Sequence, residues 1–140
     1  MTKNDKILVI LLNTISDKSA KYIKEDFAVF GSKETGYVKK SVTYFEKVIT
    51  HYGTIQIFDS DIRTTKNRLD RQILKLDTAS TPLNLPQEDF RYIALMDLMT
   101  MQFDEILENQ KLDAAVKTNL KTGNTYLKKF LGYIQDEIGA

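Results

Sequence analysis

QEDFRYIALMDLMTMQFDEILEN, residues 87–109, carries an apolar arc too broad for a helix covered on one side only. Tyr92, Leu95, Met96, Met99, Phe103, Ile106 and Leu107 recur three and four apart, which is the helical period, and Phe90, Ile93, Leu98 and Met101 spill around them. A helix of this kind has to be buried against several neighbours, so it belongs at the centre of a bundle. Its methionines, clustered with aromatic residues, suit an irregular core better than a binding surface. Upstream, Pro86 is suited to the first helical turn, and Glu88 and Asp89 complement the positive end of the helix dipole.

The same period extends in both directions. Residues 77–87 hold both prolines, Pro82 and Pro86, with Thr78, Ser80, Thr81 and Asn84, and read as a loop. Before it, Ile55, Phe58, Ile62, Thr65, Leu69, Ile73 and Leu76 form a helical stripe that Thr54 is placed to cap. Val38, Val42, Phe45, Ile49 and Tyr52 define a helix over about 34–52 that Gly53 closes in the left-handed conformation. Leu8, Leu12, Ile15, Ile23, Phe27 and Phe30 define one over about 4–30. The stretch from Asn13 to Ser19 is poor in strong helix formers, so a kink or break near Ser16 and Asp17 is expected there. After the central helix, Leu112, Val116, Leu120, Leu127, Leu131, Ile134 and Ile138 mark a helix over about 111–138, in which Gly123 and Asn124 allow a bend or a close packing contact.

These readings predict one all-α domain over 1–140, an up-and-down bundle of four to five amphipathic helices. The competing arrangement is α/β, with strands near 6–12 and 54–58, because short apolar runs do not separate strand from helix by period. Residues beyond 60 offer no strand to complete such a sheet.

Composition narrows the chemistry. The chain has no Cys, one His, 20 basic and 19 acidic residues, and a formal net charge of +1. Disulfides, thiolate metal sites and thiol catalysis are excluded, and a reducing cytoplasm is the expected location. The apolar run from Ile7 to Leu12 is too short to span a bilayer, which takes about 20 residues, and it lacks the flanks of a secretion signal; no membrane association is expected.

The motifs that could carry chemistry each lack a part. His51 is the one residue suited to phosphotransfer, but it falls at a helix end, where a cation is favoured by the dipole alone. Gly31-Ser32-Lys33-Glu34-Thr35-Gly36 has phosphate-loop glycine spacing, yet Tyr37 and Val38 stand where Lys and Ser or Thr are required, so it reads as an interhelical loop with Ser32 or Thr35 as cap. Asp59 and Asp61 point about 200° apart on a helix. Asp97, Asp104 and Glu108 line one edge of the central helix without the histidines of a di-iron site. No catalytic residue, metal or cofactor is expected.

Charge is unevenly distributed along the chain. Arg63, Lys66, Arg68, Arg71 and Lys75 stand against Asp70, and Lys111, Lys117, Lys121, Lys128 and Lys129 against Asp113. Between them lie Glu88, Asp89, Asp97, Asp104, Glu105 and Glu108 against Arg91. Arg63, Lys66, Arg68, Arg71, Lys75, Lys117, Lys121 and Lys128 are therefore the candidate binding face, for a polyanion or an acidic protein; the plainer account is complementary neighbours within the bundle. Seven tyrosines are spread over four of the helices, as wet-tipped core residues or as an interface.

The expected function is a non-catalytic protein-interaction module: an adaptor, inhibitor, immunity-type protein or small complex subunit, with another protein or a second copy of itself as partner. The alternative is a nucleic-acid-associated subunit using residues 63–75 and 111–129, which a net charge near zero does not favour. Histidine phosphotransfer through His51 ranks third.

Overall fold

The structure is a computed structural model that describes residues 3–25, 32–53, 58–78 and 87–137. Five helices account for nearly all of these: α1 (Lys3–Glu25), α2 (Ser32–Tyr52), α3 (Asp59–Thr78), α4 (Gln87–Asn109) and α5 (Ala114–Glu137). There is no strand among the described residues. Residues 6–12 lie within α1, which removes the α/β alternative; of its second strand, residues 54–57 fall outside the described residues.

Local chemistry sets the helix ends. Gly53, at φ 65°, donates its N–H to the Ile49 and Thr50 carbonyls and closes α2 as expected. α3 starts at Asp59, later than expected, and the Thr54 cap lies outside the described residues. Phe58 precedes it, and its N–H donates to Asp61 Oδ2 at 3.4 Å, the reach-back half of a capping box. Asp59 and Asp61 thus lie in the first turn, where the dipole favours carboxylates. α5 begins at Ala114 instead of 111, and the Asp113 carbonyl accepts its first helical bond from Lys117 N–H at 2.9 Å.

Two further expectations are corrected, and the loop expected over 77–87 is shorter than that, since Asp77 and Thr78 belong to α3 and Gln87 to α4. The proposed interhelical loop at 31–36 is helical from Ser32 onward, and Thr35 is buried within α2. α1 passes unbroken through Ser16 and Asp17: Ser19 is fully buried and accepts a 2.7 Å bond from the Tyr92 hydroxyl, so packing overrides weak propensity. Residues 26–30, assigned to the first helix, the prolines at 82 and 86, and Ile138 lie outside the described residues.

α1, α2, α5 and α4 form a closed ring in that order, and α3 lies in the groove between α1 and α4. Successive helices alternate in direction. The end of α2 meets the start of α1 through Tyr52 and Asp5, and the end of α1 meets the start of α4 through Tyr22 and Asp89. Chain neighbours α2 and α3 share no contact, whereas α2 and α5 make the most extensive pairing.

Met96, Met99 and Phe103 are fully buried, as expected for a central α4. α1 shares that position, since Leu8, Val9, Ile10, Leu11 and Leu12 are all buried and the run is enclosed all round. Met101, by contrast, is 61% exposed, because two residues from both Met99 and Phe103 turn it about 200° away from the core.

Two contacts fix the register. Gly123 lies under the Phe45 ring: a Cβ there would meet Cε1 at 2.5 Å and Cδ1 at 2.7 Å, so α2 and α5 approach closely, the packing option for Gly123. Asn124, also buried, donates to the Thr100 carbonyl at 3.4 Å and to Asp104 Oδ1 at 2.9 Å, which ties α5 to α4. Tyr22 and Tyr92 stack at 4.2 Å with 11° between their planes and join α1 to α4. Tyr92→Phe removes the bond to buried Ser19 while keeping the stack, and a loss of about 1 kcal/mol in denaturant unfolding is expected; an unchanged midpoint would show that the stack alone holds this joint.

Candidate binding face

The predicted basic positions do not converge. α3 and α5 share no contact, and within α3 the cations spread over its outer arc. Lys66 lines a groove of about 910 Å3 between α1, α3 and α4, together with Lys18, Lys21, Asp17, Asp70 and Arg91 above the Tyr22–Tyr92 stack. Arg68 lines a smaller one, about 530 Å3, on the opposite edge of α3 with Gln72, Gln102 and Glu105. Arg63 and Arg71 are exposed, with Arg71 Nε donating to the Asn67 carbonyl at 3.4 Å, and Lys75 lies in the last turns of α3.

On α5, Lys117, Lys121 and Lys128 are exposed along one stripe at spacings of four and seven. That stripe faces the acidic edge of α4, and Lys128 Nζ lies 2.8 Å from Asp104. This pair supports complementary neighbours as the account of this part of the pattern, at about 0–1 kcal/mol for an exposed ion pair.

His51 is exposed at the end of α2, with Nε2 3.1 Å from Asp113 Oδ2 and its ring edge-on to Tyr52 at 5.6 Å. A carboxylate against the ring nitrogen repels an incoming phosphoryl group. Nor do half-buried Tyr52 and buried Tyr92 offer a base near neutral pH. Burial, and then the Asp5 carboxylate to which it donates, push Tyr52 up to about 12. Burial likewise pushes Tyr92 up, against the opposing effect of its Ser19 bond. Among the described residues no three His, Asp or Glu side chains are grouped to hold a metal, and no helix is long and apolar enough to cross a membrane.

The most organised surface feature was not among the predicted positions. Along the α2–α5 seam, Tyr126 sits between Tyr37 at 6.3 Å and Tyr44 at 6.1 Å, all three half-buried. Exposed lysines lie against these rings: Lys40 5.3 Å and Lys129 5.2 Å from the Tyr126 centroid, Lys47 4.7 Å from Tyr44, and Lys129 6.0 Å from Tyr37. Glu46 and Lys128 point away, each about 200° around its helix from the neighbouring tyrosine. The ridge is thus basic and aromatic, without a carboxylate of Glu46 or Asp104 in it.

No family profile, curated protein or solved structure matches this chain. A signal for the ridge is present in the chain itself. Residues 37–44 read YVKKSVTY and residues 126–133 read YLKKFLGY, sharing Tyr, Lys, Lys and Tyr at the same offsets. On two antiparallel helices the Tyr and the Lys three positions later fall on facing edges, because they occupy one side of a turn, whereas the Lys two positions later, Lys39 or Lys128, is turned about 200° away.

Proposed function

We propose that this protein is a non-catalytic interaction module that binds another protein through helix faces, with the Tyr37–Tyr44–Tyr126 ridge and its lysines as the contact. The ridge is the observation that carries this reading. Tyrosine combines an apolar ring with a polar tip and is enriched at interfaces. Lysines already resting on rings lose less freedom on binding than lysines free in solvent. A second copy of the chain is a poorer occupant, since a two-fold contact through this ridge sets one lysine-bearing patch against the same patch of the partner. The absence of cysteine supports a cytoplasmic setting.

The nucleic-acid reading has less support once the α3 and α5 cations are seen to face different neighbours, and its best remaining ground is the ridge. A photoreactive residue at position 40 or 47, compared with one at exposed position 67 on α3, separates a used face from a solvated one in the living cell. A discrete protein adduct from 40 and 47 and none from 67 is the expected result. Equal adducts from all three positions, or none from the ridge, would overturn the proposal.

A further inference from the structure

We infer that the ridge recognises an acidic helix, one presenting carboxylates at i, i+3 or i+4, and i+7 along one face; this rests on the proposal that the ridge is a protein-binding face. The argument begins with which groups are left to offer. The faces of Tyr126 are engaged by Lys40, Lys129 and the flanking tyrosines, and Tyr44 is covered by Lys47. A single-stranded nucleic acid binds such surfaces by stacking bases on open rings, and these rings are taken. What projects from the ridge is ammonium groups, all donors, which pair with carboxylates or phosphates through charge-assisted bonds; with the ring faces covered against stacked bases, a protein's carboxylates are the fitting acceptors.

Spacing narrows the shape of the partner. Lys40 and Lys47 are seven residues apart on one edge of α2, two turns or about 10 Å. Lys129 comes from α5 and lies against Tyr126, the ring that Lys40 also touches. A helix with carboxylates at i and i+7 spans the same two turns, and a carboxylate at i+3 or i+4 falls between them on the same face. The cation–π contacts are weak at exposed sites, so they pre-position the lysines without locking them. Glu46 and Asp104 are turned away from them.

The test uses the full-length protein and two acidic helical peptides of identical composition, one with glutamates at i, i+3, i+4 and i+7 on one face and one scrambled. The patterned peptide is expected to bind at least about tenfold tighter, to shift amide signals in 37–47 and 122–133, and to weaken at least about tenfold with K40E/K47E/K129E, or less strongly with the milder K40Q/K47Q/K129Q. R63E/R68E/R71E on α3, three exposed positions, is the charge-matched control and should leave affinity within about twofold. Equal affinity for the scrambled peptide, or equal loss with the α3 variant, overturns the inference, as does tighter binding of oligothymidylate of matched charge. If the peptides fail while positions 40 and 47 still crosslink a protein, the acidic-helix inference falls and the proposed function stands. If the crosslinks fail as well, both fall.

Discussion

Replacing Gly123 by alanine is expected to destabilise the protein by about 1–3 kcal/mol, the range for overpacking a tight core, although alanine is the better helix former by about 1 kcal/mol. The added methyl lands 2.5 Å from Phe45 Cε1 and 2.7 Å from Cδ1. The ring has nowhere to go: Phe45 is fully buried and tilts at 53° against Phe103, 5.2 Å away. Either α2 and α5 separate along their most extensive pairing or Phe45 leaves its position. Equilibrium unfolding of Gly123→Ala, Phe45→Leu and the double variant identifies the cause. The smaller side chain should recover part of the loss, so that the double variant is more stable than the two single losses predict. A Gly123→Ala protein at least as stable as the parent would disprove the steric account.

A larger loss, about 3–5 kcal/mol, is expected of Phe103→Ala. Phe103 is fully buried on α4 and meets Phe45 across the ring of helices, so its removal opens a cavity where α2, α4 and α5 converge. Much of the stability of a domain this size is at stake, since totals of about 5–15 kcal/mol are usual. Met101→Ala is the internal control. It removes a side chain of similar reach from the same helix two positions away, but one that is largely exposed, and should change stability by no more than about 0.5 kcal/mol. Similar losses at 101 and 103 would mean that the core is not where the buried faces place it.

Periodicity made the helices legible because it reports which side of each helix faces inward. It identified the buried positions of α4, the Gly53 stop and the close-packing option at Gly123. It could not say which inward faces meet. α2 and α3 are chain neighbours that never touch, and α2 instead pairs with α5, a choice made by Phe45 lying over a residue without a side chain. The break allowed for at Ser16 and Asp17 is absent for a related reason: helix propensities are fractions of a kilocalorie per residue, and the burial of Leu12, Ile15 and Ser19 along the same stretch outweighs them. The ridge was obscured because Tyr37, Tyr44 and Tyr126 flank the apolar stripes instead of joining them. Read one helix at a time they are scattered; read across an antiparallel pair they are contiguous. Runs of like charge proved less informative, since consecutive cations on a helix point in different directions, as Lys66 and Arg68 do on the two edges of α3.

The pairing of α2 with α5 also bears on how the chain is made. Residues 32–52 leave the ribosome some sixty residues before the start of the helix that covers Phe45, a delay of several seconds at about 5–20 residues per second. Until α4 brings Phe103 against Phe45, α1 alone is available to shield α2, and the side of Phe45 that meets Gly123 waits uncovered until α5 follows. The lysines at 39, 40 and 47 keep that exposed apolar stripe charged along its flank while its partner is still being synthesised.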